Sequence, residues 1–353
     1  MSCPGPAPAP NQAPAVTPDT SRQSASATAG LIADRVATVV SSINVGGAGA
    51  TGTGPGSQTG DRANAHCPSL VGNVPDALDQ ALGASTSAEA NGSDRIRYNS
   101  VWTGGSYNHI KKDDVNGRYN GDVKNGVAGY DRRVTKDLIL GLATGYEEVD
   151  ITTEYNQGTV EGSSVSVSPY LGYIINGWLS VDATIGHTWI DYDFSRNSGA
   201  VKGSTNAGRW FGSANVNAVH RMGDFKLRGS LGYLRLYERQ DAYRDSTGAQ
   251  VEEAQVNFGQ IRTTVGGSYD IATGFGVLSP NAFVRVEYDT PASHSVMVGN
   301  NWMSSADRTG AVFGVGVDAA IADDLTLNLT ATSTQFRQNT EAYSLIGNIR
   351  YSF

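Results

Sequence analysis

The chain has 353 residues and a formal net charge of -8 at pH 7. Hydrophobic residues make up 39% and charged residues 17%, both low for a soluble globular chain, while Gly reaches 43. Without an apolar run of about 18 residues a transmembrane helix is excluded. Without a basic cluster, the acidic balance excludes a large nucleic-acid interface. A chain poor in both apolar and charged residues but rich in Gly, Ser, Thr, Asn and Tyr is expected to form β-structure with a polar interior.

Cys3 and Cys67 are the only cysteines. They exclude a disulfide scaffold and a four-cysteine zinc site, and leave open both a single long-range bridge and two free thiols. Met1-Ser2-Cys3-Pro4 has neither a basic n-region nor an apolar h-region, so the signal peptide is expected to be absent from this chain. Residues 1–20 are Pro/Ala/Thr-rich and read as a linker or a disordered arm. Over 21–44 the apolar residues Ile32, Val36, Val39, Val40 and Ile43 recur on one helical face among small side chains, a thin helix able to enter a narrow space. Gly46-Gly47 ends it, 46–60 is a Gly-rich linker, 75–83 is a short helical turn opened by Pro75-Asp76, and 84–95 is polar. Residues 1–97 thus form an N-terminal arm without a core of their own.

From residue 98 the period becomes two. Twelve segments are predicted, roughly 98–110, 118–133, 137–153, 158–175, 178–195, 205–221, 224–240, 250–270, 274–289, 308–321, 324–337 and 341–353. In 178–197, for example, Leu179, Val181, Ala183, Ile185 and Trp189 share one face while Ser180, Asp182, Thr184, Gly186 and Thr188 share the other. These segments are far longer than the usual 5–6 residues of a soluble strand, which disfavours a sandwich. Short connections (Val134 to Lys136, Asn176-Gly177, Met222-Gly223, Ala272-Thr273, Ala322-Asp323) alternate with longer polar ones, including Arg196 to Thr205. The pattern describes an all-β chain: an antiparallel up-and-down transmembrane β-barrel of about twelve strands, apolar face to lipid. Trp178, Trp189, Trp210, Tyr233, Tyr288, Tyr343, Tyr351 and Phe353 are candidates for its aromatic girdles. The predicted lumen wall carries Asp122, Lys124, Asp182, Arg228, Arg262, Arg285, Glu287 and Arg350, with Arg132, Arg209 and Asp318 beside them. Such charges need water or a partner segment. They fit either a wall that guides a polypeptide or a solvated lining with structural ion pairs.

The last segment alternates Tyr343, Leu345, Gly347, Ile349, Tyr351 and Phe353. It resembles the terminal signature of bacterial outer-membrane barrels, and the resemblance implies that Tyr351 and Phe353 form a signal read by the barrel assembly machinery. Val101-Trp102-Thr103-Gly104-Gly105-Ser106-Tyr107, Tyr119-Asn120-Gly121-Asp122, Gly126-Val127-Ala128-Gly129-Tyr130-Asp131 and Leu140-Gly141-Leu142-Ala143-Thr144-Gly145-Tyr146 resemble the start of an autotransporter (type V secretion) β-barrel translocator domain. Ser168-Pro169-Tyr170-Leu171-Gly172-Tyr173 and the Trp178 to Tyr192 strand continue the likeness. The resemblance spans roughly 97–353. It implies an integral outer-membrane barrel, loops at the cell surface, with a helix through its lumen.

The chemistry is sparse. The five histidines are scattered, His187 falls outward with Asp191 near it, and no serine motif matches it on a neighbouring strand. No catalytic residue, cofactor or metal ligand is assigned, and the chain is read as a non-enzyme. The expected partners are outer-membrane lipid and the assembly machinery, with no nucleic acid. The stripe from Ile32 to Ile43 could be covered by the lumen wall or by a second copy of the helix, so self-association through the arm stays open. Two functions follow: a translocator that exports or displays an N-terminal segment at the cell surface, or a stand-alone structural or surface-interaction barrel plugged by its own arm. Because one exposed rim aromatic contributes at most about 2–3 kcal/mol to a fold, deleting Phe353 is expected to lower the amount of barrel in the outer membrane. The purified, refolded barrel should stay intact, as read by the heat-dependent gel shift of folded barrels.

Overall fold

The computed structural model describes residues 13–43, 99–113, 118–290, 295–298, 301–304, 308–322, 324–337 and 339–353. The two cysteines and the segments 46–60, 75–83 and 84–95 lie outside these residues. Twelve long strands form the barrel: β1 Asn99–Lys112, β2 Tyr119–Arg133, β3 Leu138–Thr153, β4 Gly158–Asn176, β5 Leu179–Arg196, β6 Val201–Met222, β7 Phe225–Gln240, β8 Ala254–Tyr269, β9 Gly276–Asp289, β10 Thr309–Ala322, β11 Leu325–Arg337 and β12 Thr340–Ser352. Each pairs antiparallel with its sequence neighbours. The ring closes where β12 meets β1, from Ser100 opposite Ser352 to Lys112 opposite Thr340. Beyond the ladder, Asn99 and Phe353 exchange backbone hydrogen bonds of 3.2 and 2.9 Å. Closure leaves no sheet edge, as a strand wall in hydrocarbon requires.

At the end that holds Asn99 and Phe353 the connections are short. The β4–β5 turn is Gly177-Trp178, one residue along from the expected Asn176-Gly177, because the Asn176 side-chain oxygen accepts the backbone N–H groups of Trp178 and Leu179 at 3.0 and 2.9 Å. At the opposite end, two connections carry small hairpins, Tyr243–Arg244 with Gln250–Val251 and Ser295–Val298 with Asn301–Ser304. The β5–β6 connection corrects an expectation. It is not a long loop over Arg196 to Thr205; β6 begins at Val201, and Asn197, Ser198 and Gly199 make the turn with φ of 54°, 56° and 83°. Asn and Gly tolerate that left-handed backbone. We call the two ends the short-turn end and the long-loop end.

All eight girdle candidates point outward and are exposed. The alternation, however, changes sign along the wall. On β3, Leu140 and Leu142 face out, but three pleats further on the outward residues are Glu148 and Asp150, and the apolar residues Val149 and Ile151 face in. The same inversion runs across neighbouring strands. Asp122 lies opposite Asp150, Asp150 opposite Glu161, and Glu161 opposite Asp193 on the outer wall. Behind them Ile110, Tyr119, Val123, Val149, Ile151, Val160, Ile190 and Tyr192 form an inward apolar cluster. Toward the long-loop end the outer wall has thus left the lipid and is polar, while the inner wall packs.

Asp122 and Lys124, assigned to the lumen from sequence, therefore stand on the outer wall. Asp122 accepts the Tyr107 hydroxyl at 2.7 Å and lies 2.8 Å from His109 Nδ1 there. Arg132 is outward as well, at the opposite end of the same strand. The wall assignment predicts a position-dependent penalty. Leu231→Arg, mid-strand on the lipid side of β7, should cost about 2–4 kcal/mol in unfolding titrations from lipid vesicles. Thr330→Arg, on the lumen side of β11, should cost less than about 1 kcal/mol.

Candidate functional site: the lumen and its helix

The lumen is occupied by helix α1, Ala13–Ile43. It starts eight residues before the expected 21–44 boundary and runs through Pro18. Local propensity disfavours that extension. Enclosure changes the balance, since an isolated backbone inside a barrel has few other ways to satisfy its polar groups. The helix is flanked by strands on most of its circumference, most closely by β2, β5 and β6.

Its direction is fixed by polar contacts at both ends. Near the amino end the Asp19 carboxylate accepts the Tyr119 hydroxyl at 2.6 Å and Lys112 Nζ at 3.1 Å, at the long-loop ends of β1 and β2. Near the carboxyl end Arg35 makes a two-pronged pair with Asp131, at 2.7 and 2.8 Å, and donates to Ser100 at 3.1 Å, close to the short-turn end. At 1.5 Å per residue the two anchors are about 24 Å apart, close to the ~25 Å apolar band of such barrels. Helix and lumen therefore run antiparallel to β1, amino end toward the long loops.

Between the anchors, polar and apolar layers alternate. Arg22 approaches Asp289 (3.8 Å), which with Glu287 holds Arg337 at 2.8 and 2.9 Å. One step deeper, Arg209 pairs with Glu238 at 2.7 Å and reaches Glu147 at 3.4 Å, while Ser21 donates to Glu238 at 2.7 Å and Ser24 meets Arg209. Next, Ala25 and Ala29 let the backbone approach Phe211, Leu234, Leu236, Val256 and Phe258. Thr28 is joined to Asn125 at 2.9 Å, and Ser26 to Arg262 at 2.6 Å. Leu31 and Ile32 then pack on Trp102, Val127, Ala143 and Tyr170. The indole N–H of Trp102 donates to the Tyr170 hydroxyl at 2.7 Å, which donates to Asp131 at 2.8 Å. Small hydroxyl-bearing residues on the helix face large charged or aromatic groups on the wall, so a thin helix packs against one side of a wide lumen.

The sequence-predicted residues distribute as follows. Asp182, Arg228, Arg262, Arg285, Glu287 and Arg350 are all on the inward register. Arg209 and Asp318 are inward too. Of the helix stripe, Ile32 is buried against the wall. Val36, Val39, Val40 and Ile43 are helical, and their side chains lie outside the described residues. The lumen is less uniformly charged than expected: the apolar patches at Leu234, Leu236, Val256 and Phe258, and at Trp102 and Val127, give the helix the apolar partner that a charged wall would not. Sequence reasoning missed Glu147, Glu238, Asp131, Asp289 and Arg337, which carry the ties around the helix. A readable signal existed for Glu238, which shares parity with Leu234 and Leu236 and so sits with a packed face.

The packing is one-sided. Inward residues of β2 to β7 are mostly buried under the helix, whereas those of β10 to β12, such as Thr330, Asn348 and Ser344, are half-exposed. Asp34 faces this open side, with Arg285 and Arg228 as its opposite charges. Among the described residues there is no group of three or more His, Cys, Asp or Glu suited to a metal ion.

Breaking a buried pair on one side leaves an uncompensated charge. Arg209→Ala is expected to destabilise the refolded barrel by about 3–5 kcal/mol, because Glu238, at 0% exposure, loses its cation. The double variant Arg209→Met, Glu238→Gln should recover most of that loss in the same unfolding titration.

The comparisons with known proteins agree with this architecture. The autotransporter β-domain family matches residues 101–332. Among solved structures, the translocator domain of the autotransporter NalP from Neisseria meningitidis is 15% identical, with a TM-score of 0.58, over 76% of this chain and 92% of that one. The β-domain of the Bordetella autotransporter BrkA is 17% identical with a TM-score of 0.60, over 72% of this chain and 100% of that one. The transport unit of AIDA-I from Escherichia coli is 16% identical with a TM-score of 0.60, over 78% and 96%. No curated protein sequence matches the chain. A closed barrel of twelve long strands around an amino-terminal helix, matched over two thirds of its length, belongs to the autotransporter β-domain family and resides in the bacterial outer membrane.

Proposed function

We propose that this barrel exports, and then displays at the cell surface, a segment of its own chain that lies N-terminal to α1. The observation that carries the reading is the direction of the helix. Asp19 is held at the long-loop end and Arg35 at the short-turn end. In outer-membrane barrels short turns face the periplasm and longer loops the outside. A chain held in this sense has its amino-terminal side toward the cell exterior, and its carboxyl-terminal side toward the barrel's own first strand.

In this reading the wall charges act on the passing segment. Asp182, Arg228, Arg285 and Arg350 present both signs to the lumen, and so keep a polypeptide of mixed charge hydrated without trapping it. Arg262 and Glu287, with Arg209, Glu238 and Asp131, hold the segment that stays. Tyr351 and Phe353 serve the assembly machinery. The helix face from Thr20 to Ile32 is taken up by the wall and is withheld from a second copy.

The native thiols supply a test, since Cys3 precedes the helix and Cys67 follows it. In intact cells a membrane-impermeant maleimide should label the Cys67→Ser variant, through Cys3, and leave the Cys3→Ser variant unlabelled until the outer membrane is permeabilised. Labelling of Cys67 but not Cys3 in intact cells would reverse the assigned direction and remove the export reading.

A further inference from the structure

The outer wall over β5 to β8 carries a feature that neither the lumen nor closure of the ring requires. His187, Trp210 and Tyr237 stand in direct register on adjacent strands, all facing out. His187 is held edge-on between Trp189 and Trp210, with ring centroids 4.5 and 4.6 Å apart. The result is a row of aromatic plates, with Trp189 57% and Trp210 54% exposed. One step toward the membrane centre stands Arg235, between Gly212 on β6 and Gly259 on β8. One step the other way stands Arg239, beside Gly208.

The glycines shape the surface. A Cβ at Gly212 would meet nothing closer than 3.6 Å, and one at Gly208 nothing closer than His187, also at 3.6 Å. A side chain would fit at either position without a clash, and its absence leaves the wall shallow beside the plates. The Arg235 guanidinium lies over Gly259 next to the Tyr233 hydroxyl. Arg239 is paired with Glu253 at 2.6 Å, but among the described residues no carboxylate lies within ion-pair distance of Arg235. An outward cation between two tyrosine levels sits at the edge of the hydrocarbon, where an arginine is tolerated only near the interface. Its fork matches a phosphate through two parallel hydrogen bonds.

We propose that this patch binds the headgroup of a phosphorylated glycolipid of the outer leaflet, a phosphate on Arg235 and a sugar ring flat against Trp210 and Tyr237. The aromatic plates favour a sugar, whose C–H faces stack on aromatic rings, over the small headgroup of a phospholipid. The glycine floor at Gly208 and Gly212 gives the ring its room. This site does not depend on what crosses the lumen.

The test uses the full chain in detergent micelles, with folding checked by its gel shift. The probes are a bis-phosphorylated, acylated glucosamine disaccharide, the same glycolipid without phosphates, and phosphatidylglycerol. The wild type should bind the phosphorylated glycolipid saturably. Arg235→Gln should weaken binding by about tenfold or more, the size of one charge-assisted hydrogen bond. Gly212→Leu keeps every charge and fills the open floor, and should weaken it comparably. Trp178→Ala, in the girdle at the opposite end, should bind as the wild type does. Equal affinity for the dephosphorylated glycolipid, or unchanged binding in both Arg235→Gln and Gly212→Leu, overturns the site. Equal or tighter binding of phosphatidylglycerol overturns its assignment to a glycolipid.

Discussion

Every backbone N–H and C=O that faces hydrocarbon must find a partner in the protein. That constraint governs the rest of this molecule. It demands a closed ring, and the ring is completed by the pairing of β12 with β1 across nearly the whole barrel sequence. It demands long strands, because each must cross the apolar band at a tilt. Once the ring has twelve strands, its interior is too wide to be filled by its own side chains, as an eight-stranded barrel is. The helix, the charge pairs and the layered packing around α1 are answers to that surplus volume.

The answers are of two kinds. Where the wall is apolar, alanines on the helix permit close approach and the gain is ordinary burial, about 1.5–3 kcal/mol for a side chain such as Ile32. Where the wall is charged, partners are arranged so that carboxylates and guanidinium groups meet before either is stranded: Arg209 with Glu238, Arg337 with Asp289, Arg35 with Asp131. Such pairs add little net stability over a well-packed apolar core, but Arg35 with Asp131, the pair that joins helix to wall, penalises any other placement of the helix. A helix shifted by one turn would leave Asp131 without Arg35 and Glu238 without the Ser21 hydroxyl. Position, more than affinity, is what the polar layers specify.

How much of this was legible depends on the solvent each face meets. In mid-membrane the alternation has one meaning, and it assigns Asp182, Arg285 and Ile185 to the faces they occupy. Beyond the lipid edge the meaning inverts. The outward row at Asp122, Asp150, Glu161 and Asp193 meets water, and the inward row at Val123, Val149 and Val160 packs. Asp122 and Lys124 were misread because one polarity rule was carried past the place where the solvent changes. The clue was present in β3, where apolar residues switch parity between Leu142 and Val149. The early helix start at Ala13 was illegible for another reason: a segment with Pro14 and Pro18 becomes helical in a cage that no local pattern announces. The ties at Glu147 and Glu238 depend on contacts between strands far apart in sequence, which periodicity does not report.

The one-sided packing of α1 bears on the order of folding events. Pairing of consecutive strands closes short loops, but the β12–β1 seam joins residues as far apart as Val101 and Tyr351, the costliest closure in the ring. Until that seam forms, the sheet is an open, curling strip with a free edge on either side. The helix leans on β2 to β7, the part of the strip away from the later strands, and leaves β10 to β12 lightly touched. A strip that already cradles its helix can therefore swing its last strands round to shut without displacing anything. One-sided packing is the geometry that lets a wall be wrapped around its helix, with the β12–β1 seam as the clasp.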